Sequence, residues 1–141
     1  MRKLLLITLP LLLIVGCSSS PEPINYETTL IEREGVFYTI DKNKPYSGKV
    51  FSLYDDGNKE SEWTLKNGKL DGLYTLWYKS GRKWLQNTYK DGKLDGLSIY
   101  WDRKELLDTK RTYKNGELIL QKCWDEDGNE CVCSDLGRGC K

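Results

Sequence analysis

The chain has 141 residues, 30% of them charged and 38% hydrophobic, with 22 Lys and Arg against 21 Asp and Glu. That length fits one small domain or a short repeat array. The balanced charge leaves no basic field with which to recruit nucleic acid by counterion release, so no nucleic-acid partner is expected.

The N-terminus reads as an export signal. Met1-Arg2-Lys3 gives a basic head, and the apolar run from Leu4 to Val15, broken only by Thr8 and Pro10, falls short of the roughly 20 residues of a spanning helix. It ends in Ile14-Val15-Gly16-Cys17, which resembles the bacterial lipobox. That resemblance implies cleavage after residue 16, acylation (palmitate) of Cys17 and attachment to a membrane by several acyl chains. The alternative is an ordinary signal with a chance cysteine behind it. Removing Arg2 and Lys3 from the 22 basic residues leaves 20 against 21 acidic, so acyl chains and not charge would hold the protein. Ser18 in place of aspartate after the cysteine favours the outer membrane of a two-membrane cell, facing the periplasm or the cell surface. Residues 17–29, with Ser18-Ser19-Ser20-Pro21-Glu22-Pro23, read as a tether. From Ser18 to Thr29 it would reach on the order of 40 Å at about 3.3 Å per residue.

Residues 30–47 form a lead-in segment, and behind them the chain repeats. Gly48, Gly72 and Gly96 are 24 residues apart, and Gly68, Gly92 and Gly116 fall on the same interval, as do Thr64, Thr88 and Thr112 and Leu70, Leu94 and Leu118. Self-similarity at such a period marks units that bury their faces against their neighbours. Within residues 48–120, Asn67-Gly68, Asp91-Gly92 and Asn115-Gly116 are type I′ turn dipeptides. Asp55-Asp56-Gly57-Asn58 and Lys79-Ser80-Gly81-Arg82 supply a second set. Strands are expected at 49–54, 59–65, 73–78, 83–89 and 97–101, giving an all-β chain of 24-residue hairpins. Asp71-Gly72 and Asp95-Gly96, just behind the tight turns, read as bulges. Glu105 stands where Gly57 and Gly81 predict glycine, so that corner is expected to take another form and the sheet to fray there.

The stretch from Pro45 to about Leu118, a tyrosine or tryptophan followed by xxGxxxxxxxYKxGKLDG, resembles the looser MORN-repeat variant of bacterial lipoproteins often labelled antitoxin component. Glu34-Gly35-Val36-Phe37-Tyr38 and Pro45-Tyr46-Ser47-Gly48 resemble the lead-in that such proteins place before the first full unit. The resemblance implies an elongated, single-layer antiparallel β-meander with a binding role. The function expected is a membrane-anchored envelope lipoprotein acting as a protein-binding or scaffold module; the alternative is an antitoxin or immunity-type protein that neutralises a specific toxin.

Alternation along residues 73–78 splits the side chains between two faces. With Ser80-Gly81 as a two-residue turn, Trp77 falls opposite Trp84 and Leu76 opposite Leu85. One surface then holds Tyr74, Leu76, Tyr78, Leu85 and Tyr89. The other holds Phe51, Leu53, Trp77, Trp84, Ile99 and Trp101, interspersed with Glu60, Glu62, Gln86 and Lys110. A single layer cannot hide both, so Phe51, Leu53, Trp77, Trp84 and Trp101 are the candidate partner-binding residues. The competing reading is that the tryptophans are sheet packing, which a pleated surface selects anyway.

Residues 121–141 hold Cys123, Cys131, Cys133 and Cys140. Export makes two disulfides the first reading, and a staple for the end of the sheet their use. The turn at Asp127-Gly128 would bring Cys123 near Cys131 and leave Cys133 for Cys140, although four cysteines permit three pairings. A zinc site lacks CxxC spacing and histidine, and a redox role for Cys131 and Cys133 is the remaining alternative. With no histidine, no Gly-x-Ser-x-Gly and no phosphate-binding loop, no enzyme activity and no cofactor are expected. The carboxylates of Asp55, Asp56, Asp125, Glu126 and Asp127 are accounted for by turn chemistry. A carboxylate hydrolase, the third possibility, would need a deep cleft.

Overall fold

Left-handed backbone sets the corners of this chain. The computed structural model describes residues 21–134 and 137–141. In it Asn67-Gly68, Asp91-Gly92 and Asn115-Gly116 all have both φ angles positive, 50° and 76°, 49° and 82°, 51° and 90°. Those are the type I′ turns that match the twist of the flanking strands. They join β5 (Lys59–Lys66) to β6 (Lys69–Trp77), β7 (Lys83–Lys90) to β8 (Lys93–Trp101), and β9 (Leu107–Lys114) to β10 (Glu117–Trp124). Ahead of these come β1 (Ile24–Asn25), α1 (Tyr26–Thr29), β2 (Leu30–Arg33), β3 (Val36–Thr39) and β4 (Gly48–Leu53); β11 (Glu130–Cys131) follows. The main sheet runs in the order β1-β4-β5-β6-β7-β8-β9-β10-β11, with β2-β3 a separate hairpin. From β4 onward every neighbour is antiparallel. The protein is all-β, and its main sheet is a long meander.

The opposite corners share another geometry. Gly57 and Gly81 donate to the carbonyls of Tyr54 and Tyr78, and Tyr54 and Tyr78 donate to the carbonyls of Asn58 and Arg82. Each is a three-residue corner closed by a left-handed glycine. The corner at Asp102 keeps this form, contrary to the expectation from its missing glycine. Glu105 takes the left-handed position at φ 66°. The Asp102 carboxylate accepts from the N–H groups of Lys104 and Leu106, both at 2.8 Å, which holds the corner in place. The sheet does not fray there: β8 and β9 pair from Gly96↔Tyr113 up to Trp101↔Leu107 beside the corner.

The tight corners are also linked to one another. The N–H of Gly68 donates to the Tyr46 carbonyl, that of Gly92 to Leu70, and that of Gly116 to Leu94. Irregularities fall where Asp-Gly predicts them: three residues, 71–73 and 95–97, stand against Thr64 and Thr88. A Cβ on Gly96 would lie 3.0 Å from that of Thr88, which is why the threonine and the glycine recur together.

Cross-strand register sorts the side chains. One face carries the rung Val50, Trp63, Tyr74, Asn87, Ser98, Arg111, Gln121 and, beside it, Ser52, Ser61, Leu76, Leu85, Tyr100, Thr109, Cys123. This inner face is covered at both ends. At the first, Leu30, Val50, Trp63 and Leu65 form the core, with Ile24, Tyr26, Phe37, Tyr46, Leu70 and Tyr74 packed against it. At the other, residues 137–141 close over Thr109 and Cys123, which are wholly buried.

One further expectation needs correction. The tether of residues 17–29 is not free along its whole length: Ile24 and Asn25 pair in parallel with Val50 and Phe51. Tyr26 follows into the aromatic cluster, 5.6 Å from Trp63 and 6.0 Å from Phe37 between ring centroids. Burying that ring stabilises a docked chain that Pro21 and Pro23 alone do not foretell. The signal segment 1–16 and Cys17 lie outside the described residues.

Candidate partner-binding face

The second face of the sheet is open. Its rungs run Phe51, Glu62, Thr75, Gln86, Ile99, Lys110, Lys122 in one line, and in the other Leu53 with Lys59, Trp77 with Lys83, and Trp101 with Leu107. Leu53, Trp77 and Trp101 therefore succeed one another two strands apart, on the order of 10 Å. Phe51, Leu53, Trp77 and Trp101 are all half-buried. The Lys59 ammonium stands 5.4 Å from the centre of the Trp77 ring and the Lys83 ammonium 5.9 Å from that of Trp101. Each cation covers part of its ring, an interaction of about 0.5–1 kcal/mol at exposed sites. These lysines were missed in the sequence, although Lys59 and Lys83 keep the 24-residue interval of the tryptophans they cover. A shallow groove of about 420 Å³ runs beside Trp77, lined by Lys49, Glu62, Thr75, Lys83 and Gln86.

Trp84 does not stand opposite Trp77. The corner is three residues long rather than two, so Trp77 pairs with Lys83, Leu76 with Leu85, and Trp84 is the extra residue between them. Its ring packs on Tyr78 at 5.9 Å. Glu60 occupies the same place one hairpin earlier, between Lys59 and Ser61, and its carboxylate accepts from Ser52 of the inner face at 3.0 Å. Both residues thus leave the open face on which alternation put them.

Tyrosine hydroxyls fasten this margin from behind. Tyr54 donates to the Trp77 carbonyl at 2.6 Å and Tyr78 to that of Trp101 at 3.1 Å. Burial, reinforced by Glu60 and Asp56, pushes the Tyr54 phenol above its ordinary range, and burial does the same for Tyr78 and Tyr74. All three remain neutral donors at physiological pH.

On the inner face an aromatic cleft of about 430 Å³ lies between the lead-in hairpin and the sheet, lined by Tyr26, Glu32, Phe37, Trp63, Leu70 and Tyr74. Edge-to-face contacts of Tyr26 with Phe37 and Trp63, and a tilted contact of Trp63 with Tyr74, tie these rings together, as in a core.

At the C-terminal end the disulfides join Cys123 to Cys133 and Cys131 to Cys140, with Cα separations of 5.2 and 5.7 Å. The turn at Asp127-Gly128 does set the Cys123 backbone opposite Cys131, and Cys133 opposite Cys140. The sulfurs bond across these pairs instead of within them. Arg111 reaches the Gly137 carbonyl and Gln121, and lies 5.2 Å from the Tyr100 ring centre. Gly139 donates to Asp108 and Thr109, so the stapled segment closes the inner face.

The carboxylates sit where turn chemistry needs them. Asp56 accepts from the Asn58 N–H and Asp125 from those of Asp127 and Asn129. Hydrogen bonds from the backbone hold both below the usual carboxylate range. Among the described residues no group of three acidic or cysteine side chains is placed to hold a metal ion, and none of their helices is long and apolar enough to cross a membrane. No protein-family model, curated protein or solved structure matches the chain.

Proposed function

We propose that the protein is a lipid-anchored envelope lipoprotein whose MORN-like, 24-residue hairpin units present a protein-binding face. The observation that carries the reading is the row Leu53, Trp77, Trp101 on the open side of a sheet whose other side is covered at both ends. Aromatic anchors ringed by polar groups (here Lys59, Glu62, Lys83, Gln86 and Lys110) are what binding hot spots are made of. Cys17 would carry the acyl chains and hold that face near a membrane.

The test is photo-crosslinking of the full chain in intact cells, beside the W77S/W101S variant. Loss of the captured protein with an unchanged circular-dichroism melt supports a binding face. Unchanged capture, or collapse of the fold, refutes it in favour of packing. Capture of one soluble toxin, with toxicity on deletion of this gene alone, would turn the reading to an antitoxin. Release of a Cys17→Ala variant from the membrane fraction checks the anchor.

A further inference from the structure

The last long strand ends the meander in an unusual way. In the two earlier hairpins Leu70-Asp71-Gly72 and Leu94-Asp95-Gly96 follow the tight corner; in β10 the same place reads Leu118-Ile119-Leu120. These three are 49%, 62% and 52% exposed, a contiguous apolar run on the surface. β11 pairs with β10 only at Cys123 and Trp124. Among the described residues nothing else pairs with the outer edge of β10, so from Glu117 to Lys122 that edge presents free backbone donors and acceptors. An open, apolar edge is a template for another strand, and proteins that stay monomeric usually blunt it with charged side chains or proline. The aspartate that would have blunted it is the residue replaced by Ile119.

We propose that this edge pairs antiparallel with β10 of a second copy, related by a two-fold axis. Head-to-tail joining is disfavoured because the other margin of the sheet, at Val50 and Phe51 of β4, is covered by β1. The β10 edge, by contrast, is self-complementary. Glu117 and Lys122 stand on the open face, opposite Lys114 and Lys110, while Leu118 and Gln121 stand on the inner face, opposite Tyr113 and Arg111. Ile119 is the extra residue that reconciles the two halves. Pairing Glu117 with Lys122 of the second copy therefore keeps that pair on the open face, sets Leu118 against its Gln121 on the inner face, and brings Ile119 and Leu120 of the two copies together at the axis. Glu117 makes none of the ion pairs found among the described residues, while Lys122 sits 44% exposed beside Glu130. Such a contact adds main-chain hydrogen bonds and apolar cross-strand pairs. Closed two-fold pairing stops at the dimer.

The experiment is sedimentation velocity of the full chain in detergent micelles over a range of concentrations. The wild type is expected to dimerise. The variant I119D/L120G, which restores Leu-Asp-Gly, is expected to stay monomeric with an unchanged melt. E117K or K122E alone should weaken the dimer about three- to tenfold, since each places like charges face to face twice, and E117K/K122E should restore it. A wild type that is monomeric at every concentration overturns the proposal, as does a dimer that persists in I119D/L120G and therefore arises from shared micelles or another surface. Should I119D/L120G fail to fold, the charge series decides: association unmoved by either single change overturns it.

Discussion

Gly68 is where the lead-in hairpin meets the meander, and replacing it with alanine separates two effects that glycine usually confounds. At Gly57 φ is 84° and a Cβ would meet nothing within 4 Å. Gly57→Ala therefore costs only left-handed strain, about 1–2 kcal/mol. At Gly68 φ is 76°, and a Cβ would lie 2.5 Å from Val36 Cγ1 and 2.8 Å from the Phe37 carbonyl oxygen. Backbone cannot yield there, because Phe37 donates to the Gly68 carbonyl and Gly68 to the Tyr46 carbonyl, each at 2.7 Å. Overpacking adds roughly 1–3 kcal/mol, so Gly68→Ala should cost about 2–5 kcal/mol, or a melting temperature lower by on the order of 10–20 °C. Urea unfolding followed by tryptophan fluorescence reads both variants, because Trp63 reports the packed cluster. Equal midpoints for Gly57→Ala and Gly68→Ala would refute docking of residues 36–37 on that corner.

Trp63→Ala, which removes the ring that Tyr26, Phe37 and Tyr74 pack against, should cost about 3–5 kcal/mol in urea unfolding; a loss below 1 kcal/mol would mean that the cluster is not a core. Peptide mapping of the oxidised protein should recover Cys123 linked to Cys133 and Cys131 linked to Cys140, and reduction should lower the melting temperature, each short loop contributing about 2.5 kcal/mol in the chain-entropy account. Acid should unfold the protein through its turn and bulge carboxylates. Asp125 is held low chiefly by the Asn129 N–H and Asp95 chiefly by the Lys114 ammonium. Their folded-state pKa values lie below the unfolded ones, so the stabilisation is full above the ordinary carboxylate range and is lost as pH falls through the lowered values. Urea midpoints measured between about pH 6 and pH 2 should fall less steeply for Asp125→Asn than for the wild type; identical slopes would contradict this.

What could be read in the sequence was what local chemistry dictates. Asn-Gly and Asp-Gly name the tight corners because few other dipeptides accept two positive φ angles. Period-two alternation placed Tyr74, Leu76 and Leu85 on one face and Phe51, Leu53, Trp77, Ile99 and Trp101 on the other, as the register has them. Trp84 and Glu60 were misplaced because Lys79-Ser80-Gly81-Arg82 and Asp55-Asp56-Gly57-Asn58 each satisfy a two- or a three-residue corner equally well, and one extra residue turns the next side chain over. The retained corner at Glu105 depends on the Asp102 carboxylate, a compensation that no glycine rule contains. β1 escaped notice because a two-residue parallel strand has no pattern of its own; its pairing is made by β4, far along the chain. The disulfide pairing was open for the same reason, since register brings Cys123 and Cys131 together and only the path of the chain beyond Cys133 decides which sulfurs meet.

The stitched corners make the sheet resemble a book sewn along its spine. On one margin Gly68, Gly92 and Gly116 fix each leaf to the one before by a main-chain bond, so the hairpins cannot fan apart there. On the fore-edge the fastening is by tyrosine hydroxyls, at Tyr54 and Tyr78, and the third leaf has Asp102 in that place. Among the described residues the exposed pair Lys104–Glu126 reaches across at that height, and such a pair holds weakly. At its fore-edge the final leaf relies instead on the disulfide-closed segment behind it, the clasp that keeps the volume shut.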